Sequence, residues 1–247
     1  MAEFKIKIAE QTGAVRSMFE STREYCRPYL TGDSADFSIT VTREDLAFEQ
    51  EQLDAEARAE GFRPRSFTEP FLERAAIQRK FAEHLFDFGT LLFHGSAVAV
   101  NGEGYLFTAR SGTGKSTHTQ LWREVFGERA VMINDDKPFL RITDAGVLVC
   151  GSPWSGKHGL DTNSTVPLKG ICILERGAEN RIRKTGPEAA LPMLRHESYL
   201  PLSPDRQPEF LQLVDTLAEN VPLWHMECNK APEAALVSYH AMSGKRK

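Results

Sequence analysis

Between residues 109 and 116 the chain reads Ala-Arg-Ser-Gly-Thr-Gly-Lys-Ser, with the apolar run GYLFTA before it and a helix-forming segment after it. Glycines two apart let successive backbone N–H groups curl around anionic oxygens without a side-chain clash. The helix that follows turns the positive end of its dipole to the same point. Lysine and serine in succession then supply a mobile cation for phosphate oxygens and a hydroxyl for Mg2+. The octet matches the nucleotide phosphate loop with alanine in place of the first glycine. Its expected contacts with ATP are Arg110, Ser111, Gly112, Thr113, Gly114, Lys115, Ser116 and Thr117. About twenty residues further on, the apolar run AVMIN ends in Asp135-Asp136, at a strand end of the kind where sheets present ligands. One carboxylate is suited to hold Mg2+ and the other to take a proton from an attacking hydroxyl.

The elements that must position these groups are legible on both sides. From Leu91 the chain alternates short β-rich runs, LLFHGSAVAV, GYLFTA, AVMIN, PFLRI, GVLVCG and LKGICIL, with turn candidates at 101–104 and 143–146. A single helix interrupts them, expected over 115–126 and stopped by Gly127. Upstream, Phe4, Ile6, Ile8 and then Phe37, Ile39, Val41 alternate as half-buried, antiparallel strands do. Thr42 and Asp45 resemble a capping box opening a helix over 43–60, whose acidic run reads as a solvated face. A connector at 61–70 leads to a stronger helix from Glu69 to about Phe88, with Phe71, Ala75, Ala82, Leu85 and Phe88 at helical spacing. After Gly186 the chain turns helical again, with Pro192, Pro201, Pro204 and Pro208 expected to cut it into short pieces.

Thirty basic against 34 acidic side chains leave a net charge of −4, too mixed for a protein that coats nucleic acid. The balance is uneven: residues 89–184 carry 12 basic and 9 acidic groups between acidic flanks, which suits a nucleotide polyanion. No apolar run approaches the ~18 residues of a membrane span, and MAEFKIKIAE does not resemble a secretory signal. A cytoplasmic protein is expected, with no membrane or nucleic-acid partner and with assembly into a homo-oligomer left open. Cys26, Cys150, Cys172 and Cys228 have no metal-ligand spacing and read as reduced thiols.

The short distance from the loop to Asp135-Asp136, together with His94-Gly95 and a hairpin ahead of the loop, resembles the catalytic domain of HPr kinase/phosphorylase, a relative of phosphoenolpyruvate carboxykinase. The likeness runs from His94 to Leu174. It implies an α/β fold: a P-loop core with a mixed sheet like that of HPr kinase and the carboxykinase, plus a small α+β N-terminal region. The expected division is 1–68 for that region, 69–242 for the core and 243–247 for a disordered tail. The resemblance also implies roles: Asp135 as base toward a hydroxyl, Asp136 with Ser116 at the metal, His94 supporting the acids, and Lys115 at the phosphates. The sequence departs from the family at Val166-Pro-Leu-Lys169-Gly170, where the family has a Glu and an Arg before the Gly. That departure points away from HPr itself as acceptor.

Two further features carry expectations. The stretch PWSGKHGLDTN (153–163) offers an apolar wall at Pro153 and Trp154, an anion-binding turn at 155–157, and polar contacts from Asp161 and Asn163. Trp154, Lys157 and Asn163 are the expected acceptor-binding residues. Arg176 follows the run ICILE, where a guanidinium would suit a transferring phosphoryl group. The expected activity is ATP-dependent, Mg2+-dependent phosphoryl transfer to a hydroxyl of a small molecule or to a seryl group of a peptide or protein. The alternatives are a non-catalytic ATP-binding regulator or scaffold and, with less support, a carboxykinase.

Overall fold

The computed structural model describes residues 1–59 and 61–244. They form two compact units that divide between Leu85 and Phe86. The first unit opens with β1 (Ala2–Ile8) and β2 (Gln11–Ser17), joined antiparallel through a tight turn at Ala9-Glu10, both with positive φ. After α1 (Glu20–Tyr25) comes β3 (Phe37–Thr40), which pairs with β2 in parallel, so the expected antiparallel pairing does not apply to it. The intervening β2 escapes sequence reading because Val15 is the one branched apolar side chain that it buries, beside Thr12, Gly13 and Ser17.

Helix α2 (Arg43–Ala59) begins at a realised capping box: the Thr42 N–H donates to Asp45 Oδ2 at 2.9 Å, and the Asp45 N–H to Thr42 Oγ1 at 3.4 Å. Glu60, expected as its last residue, lies outside the described residues. The acidic run is not all solvated: Asp45 and Glu49 turn inward onto Arg79 and Lys80 of α3 (Glu69–Phe86). The buried stripe of α3 is Leu72, Ala76, Ile77, Phe81, Ala82 and Leu85, while Phe71 and Phe88, expected on the core face, are 38% and 40% exposed. The Phe81 ring meets Phe37 edge-on at 5.1 Å. Helix α3 thereby packs with the N-terminal sheet, and the boundary read at 68/69 falls at its start rather than its end.

The second unit is a mixed α/β sandwich. Its strands are β4 (Thr90–Leu92), β5 (Ser96–Val100), β6 (Glu103–Thr108), β7 (Ala130–Asn134), β8 (Phe139–Thr143), β9 (Gly146–Cys150), β10 (Thr165–Arg176), β11 (Arg181–Lys184) and β12 (Leu223–Cys228). The main order is β4-β8-β9-β10-β6-β5-β7. Strand β10 does two jobs: its first residues pair antiparallel with β9, and its second half runs parallel to both β6 and β12. Successive residues along these central strands face opposite layers. Leu106, Ile171 and Leu223 pack against α5 (Pro187–Glu197) and α6 (Gln207–Asn220). Phe107, Cys172 and Trp224 pack on the other side with α4 (Lys115–Phe126) and α7 (Glu233–Ser243).

Pro192 does not cut the chain; it lies inside α5, which loses one backbone hydrogen bond there and is held by buried Ala190 and Leu194. Pro208 sits in the first turn of α6, where its missing N–H costs nothing, and α6 runs 14 residues rather than a short piece. Of the expected tail, Ser243 ends α7 and Gly244 caps it with φ 68°, and residues 245–247 lie outside the described residues. No helix among the described residues is long and apolar enough to cross a membrane.

Candidate active site

Strand β6 runs up the middle of the sheet, buried from Gly104 onward, and ends at Thr108. The chain then turns through 109–114 into α4. Gly112 and Gly114 take φ 75° and 125°, conformations that an L side chain rarely adopts, and open space surrounds Gly112. The Lys115 side chain is buried, and its ammonium donates to the Ala109 carbonyl at 3.1 Å, folded back over the loop. Burial lowers its pKa, and the nearby Glu197, Asp136 and Asp135 carboxylates oppose that shift. Arg176, at the end of β10, donates through Nε to Thr113 O at 3.3 Å and through Nη2 to Gly112 O. It therefore ties down the loop's carbonyls, and it does not stand over the loop mouth.

The acids arrive on β7. Asn134 is wholly buried, and its Oδ1 accepts from the N–H groups of Asp136 at 2.8 Å and Lys137 at 2.6 Å. Its Nδ2 donates to Ser152 O at 2.8 Å. The carboxylate pair thus sits on a turn fixed from within, an Asx turn. Asp135 is 5% exposed, and its Oδ1 accepts from Ser96 Oγ at 2.8 Å. Ser96 Oγ lies 2.7 Å from Thr119 Oγ1, on the first turns of α4. One hydroxyl chain therefore links the acid to the helix that carries the glycine loop.

Asp136 is part-exposed and faces His94, with Oδ1 3.3 Å from Nε2. The other face of the ring is held by Glu197, whose Oε2 lies 2.7 Å from His94 Nδ1. The backbone N–H of His94 also donates to Glu197 O at 2.7 Å. The Glu197 carboxyl is almost fully buried at the C-terminus of α5. Hydrogen bonds donated by its ring to Asp136 and then to Glu197 raise the His94 pKa against the opposing effects of burial, Lys137 and Lys115. For Asp136 burial acts first and upward, but the His94 hydrogen bond with the charges of Lys137, His94 and Lys115 carries the net shift down. Glu197 behaves alike: burial pushes up, and His94 more than offsets it. The trio is an imidazole clamped between two carboxylates that favour its protonated form.

His94, Lys115, Ser116, Asp135, Asp136 and Lys157 line one open cleft of about 960 Å³. Lys157 belongs to the excursion between β9 and β10. Gly151 pins one end of it, with its N–H donating to Ser164 O at 2.9 Å; a Cβ there would land 1.9 Å from Thr162 O. The Asp135 N–H donates to Leu160 O at 3.0 Å, and Ser155 Oγ to Asp161 Oδ2 at 2.7 Å. The excursion is thereby laid beside the acids. Trp154 packs its buried ring 6.3 Å from Phe139, and neither it nor Asn163 is among the cleft-lining residues.

Sequence reasoning did not single out Ser96, Thr119, Asn134 or Glu197. The hard oxygen donors present, a serine hydroxyl and two aspartates, fit Mg2+ in chemical type. No group of three or more His, Cys, Asp or Glu that could hold a metal ion occurs among the described residues.

No family model matches the sequence, and no curated protein matches it. Among solved structures, the Hpr(Ser) kinase/phosphatase from Coxiella burnetii aligns with 62% of this chain and 97% of that chain, at 12% identity and a TM-score of 0.38. A likeness at that level carries no weight for function, which has to be argued from the cleft.

Proposed function

We propose that the cleft is the active site of an ATP-dependent phosphotransferase acting on a hydroxyl. One observation carries this reading: the glycine loop with Lys115 and Ser116, and the acids with His94, come from separate elements yet line one cleft. Lys115 and the N–H groups of residues 110–116 hold the phosphates, with the α4 N-terminus adding its partial positive charge. Ser116 and Asp136 hold Mg2+, which supplies charge neutralisation on the phosphates when bound. His94 keeps Asp136 ionised and oriented, and Glu197 does the same for His94.

Asp135 then serves the acceptor. Its Oδ1 is occupied by Ser96, and its Oδ2 lies toward Gly156 beside the cleft. As the acceptor oxygen bonds to the γ-phosphorus, its proton passes to Asp135 and the β–γ bridging bond breaks, leaving ADP. Little covalent chemistry is needed beyond positioning and charge stabilisation. Lys157 is placed to meet the acceptor or the transferring phosphoryl group. The acceptor is a hydroxyl-bearing small molecule or a seryl side chain.

The test is incubation with γ-labelled ATP, Mg2+ and fractionated metabolite and peptide acceptors. Label in an organic phosphate, lost in Asp135→Asn, is the expected result. Tight nucleotide binding with label found only in ATP would point instead to the non-catalytic regulator.

A further inference from the structure

Helix α4 separates two concavities. The cleft with the acids touches its Ser116, Thr119, Gln120 and Arg123 side. A second pocket of about 230 Å³ lies against its other face, formed by Thr117, His118 and Leu121 and closed by Cys228, Asn229 and Lys230 at the end of β12. Thr113 and Gly114 of the glycine loop form its rim. In the sheet β7, which carries the acids, lies to one side of β6, whereas β10 and β12 lie to the other. A triphosphate held in the loop with its γ end toward Asp135 and Asp136 therefore points its α end, and whatever is attached there, to the β10 and β12 side of the loop, where this pocket lies.

The pocket wall also carries an unmet polar atom. His118 is 2% exposed, and its Nδ1 has no hydrogen-bond partner. Its Nε2 lies 3.0 Å from Ser238 Oγ, which also receives the Trp122 indole N–H at 2.9 Å. Ser238 has one hydroxyl proton, and the Ala234 carbonyl 2.9 Å away can only accept it. The Trp122 indole N–H, which can only donate, also lies 3.3 Å from His118 Nε2, so that nitrogen is engaged from two sides and Nδ1 is the ring nitrogen without a partner. Burial lowers the imidazole pKa to about 4, so the ring is neutral. A buried polar atom without a partner costs free energy that a hydrogen bond to a ligand would recover.

From these observations we infer that the pocket between α4 and the Cys228–Lys230 turn takes the nucleobase of the bound nucleotide. Leu121, the Thr117 methyl and Cys228 supply the apolar contact, and His118 Nδ1 a polar partner for the edge of the base. The inference rests on the phosphate-loop reading above, and the test separates the two.

Cys228 is partly exposed at this pocket, whereas Cys26, Cys150 and Cys172 are buried. The intact protein is alkylated with N-ethylmaleimide in the presence of saturating Mg·ATP, saturating Mg·tripolyphosphate, or neither, and Cys228 is followed by peptide mass spectrometry. ATP should slow its modification about tenfold or more, and tripolyphosphate, which lacks the base, should leave it unchanged. Equal protection by both, or by neither although both bind, overturns the nucleobase assignment while sparing the phosphate loop. Failure of both ligands to bind overturns the loop reading and the assignment with it. As a second measurement, Leu121→Trp should weaken ATP about tenfold or more with tripolyphosphate affinity retained. Retained affinity for both ligands would contradict the assignment.

Discussion

Two ionic clusters, one in each unit, use similar residues to different ends. In the N-terminal unit Arg79 bridges Asp45 at 3.1 Å and Glu49 at 2.5 Å, and Lys80 reaches Asp45 at 2.8 Å. Every charge there has a permanent counter-charge, and the cluster faces no cleft that needs it. Around Asp136 the partner is a histidine rather than a guanidinium, the second carboxylate holds that histidine instead of a cation, and Lys115 rests on a carbonyl. Two carboxylates and one ammonium are left with bonding capacity facing an open cleft. The first cluster is closed and serves the fold; the second is open, and under the proposed function it is the one that would meet a ligand.

The pKa directions follow this contrast only at Glu49, since Asp45 of the closed cluster is lowered despite burial, through Lys80, Thr42 and Arg79. Glu49 is raised because burial outweighs Arg79, so that pair is held by the fold at some cost. Asp136 and Glu197 are lowered despite burial, so their partners more than offset desolvation.

Substitutions can break the contrast, and the largest effect belongs to the open cluster. Asp135→Asn should leave Mg·ATP binding within a few-fold of wild type and lower kcat by about 10²- to 10⁴-fold, the range for loss of a general base. Steady-state rates with the identified acceptor, beside a nucleotide titration, check it. In the closed cluster, Arg79→Met strands Glu49 while Lys80 still holds Asp45, and should cost about 3 kcal/mol in denaturant unfolding, with nucleotide affinity unchanged. If nucleotide affinity fell in step, the two clusters would not be independent.

Glu197→Gln comes third, with an expected fall in kcat of about tenfold through loss of His94 orientation. It also carries a pH signature in stability. A raised His94 pKa means that its contribution is complete below about 6.5, the unfolded value, and is lost as pH rises through the folded value. The lowered Asp136 and Glu197 values mean that theirs is present above the ordinary carboxylate range and lost as pH falls through the folded ones. Wild-type Tm should therefore hold a plateau between those limits and decline on both sides. The Gln variant should show a shallower alkaline decline; identical profiles would mean that Glu197 does not bind the imidazolium. The smallest effect is expected for Arg176→Ala, which frees two loop carbonyls and should weaken nucleotide binding by a few-fold, about 1 kcal/mol.

How much of this was legible beforehand follows from how local each signal is. Helix α4 begins and ends where the sequence places it because Gly114, Lys115 and Gly127 are sufficient signals by themselves. The acids at the end of β7 are legible for the same reason: an apolar run stops at two carboxylates. Arg176 was placed near the loop, but its contacts are with carbonyl oxygens, a distinction that needs coordinates. Glu197 left no trace, since a glutamate closing a helix 103 residues after His94 looks like any surface residue. Ser96 is equally anonymous until the sheet sets β5 beside β7. In α3 the expected Ala82 and Leu85 are buried, whereas at its start the larger Phe71 draws the reading away from Leu72, the residue that helix geometry buries, and Phe88 lies beyond the helix end. Strand β12 was missed although it forms the far side of the pocket next to α4.

The central claim is that loop and acids act on one nucleotide, and calorimetric titration with ATP tests it most directly, with and without Mg2+, on wild type, Lys115→Ala and Asp136→Asn. Wild type should bind more tightly with Mg2+. Lys115→Ala should lose about tenfold or more in either condition, and Asp136→Asn should lose mainly the Mg2+ enhancement. Binding that is indifferent to both substitutions would contradict the claim.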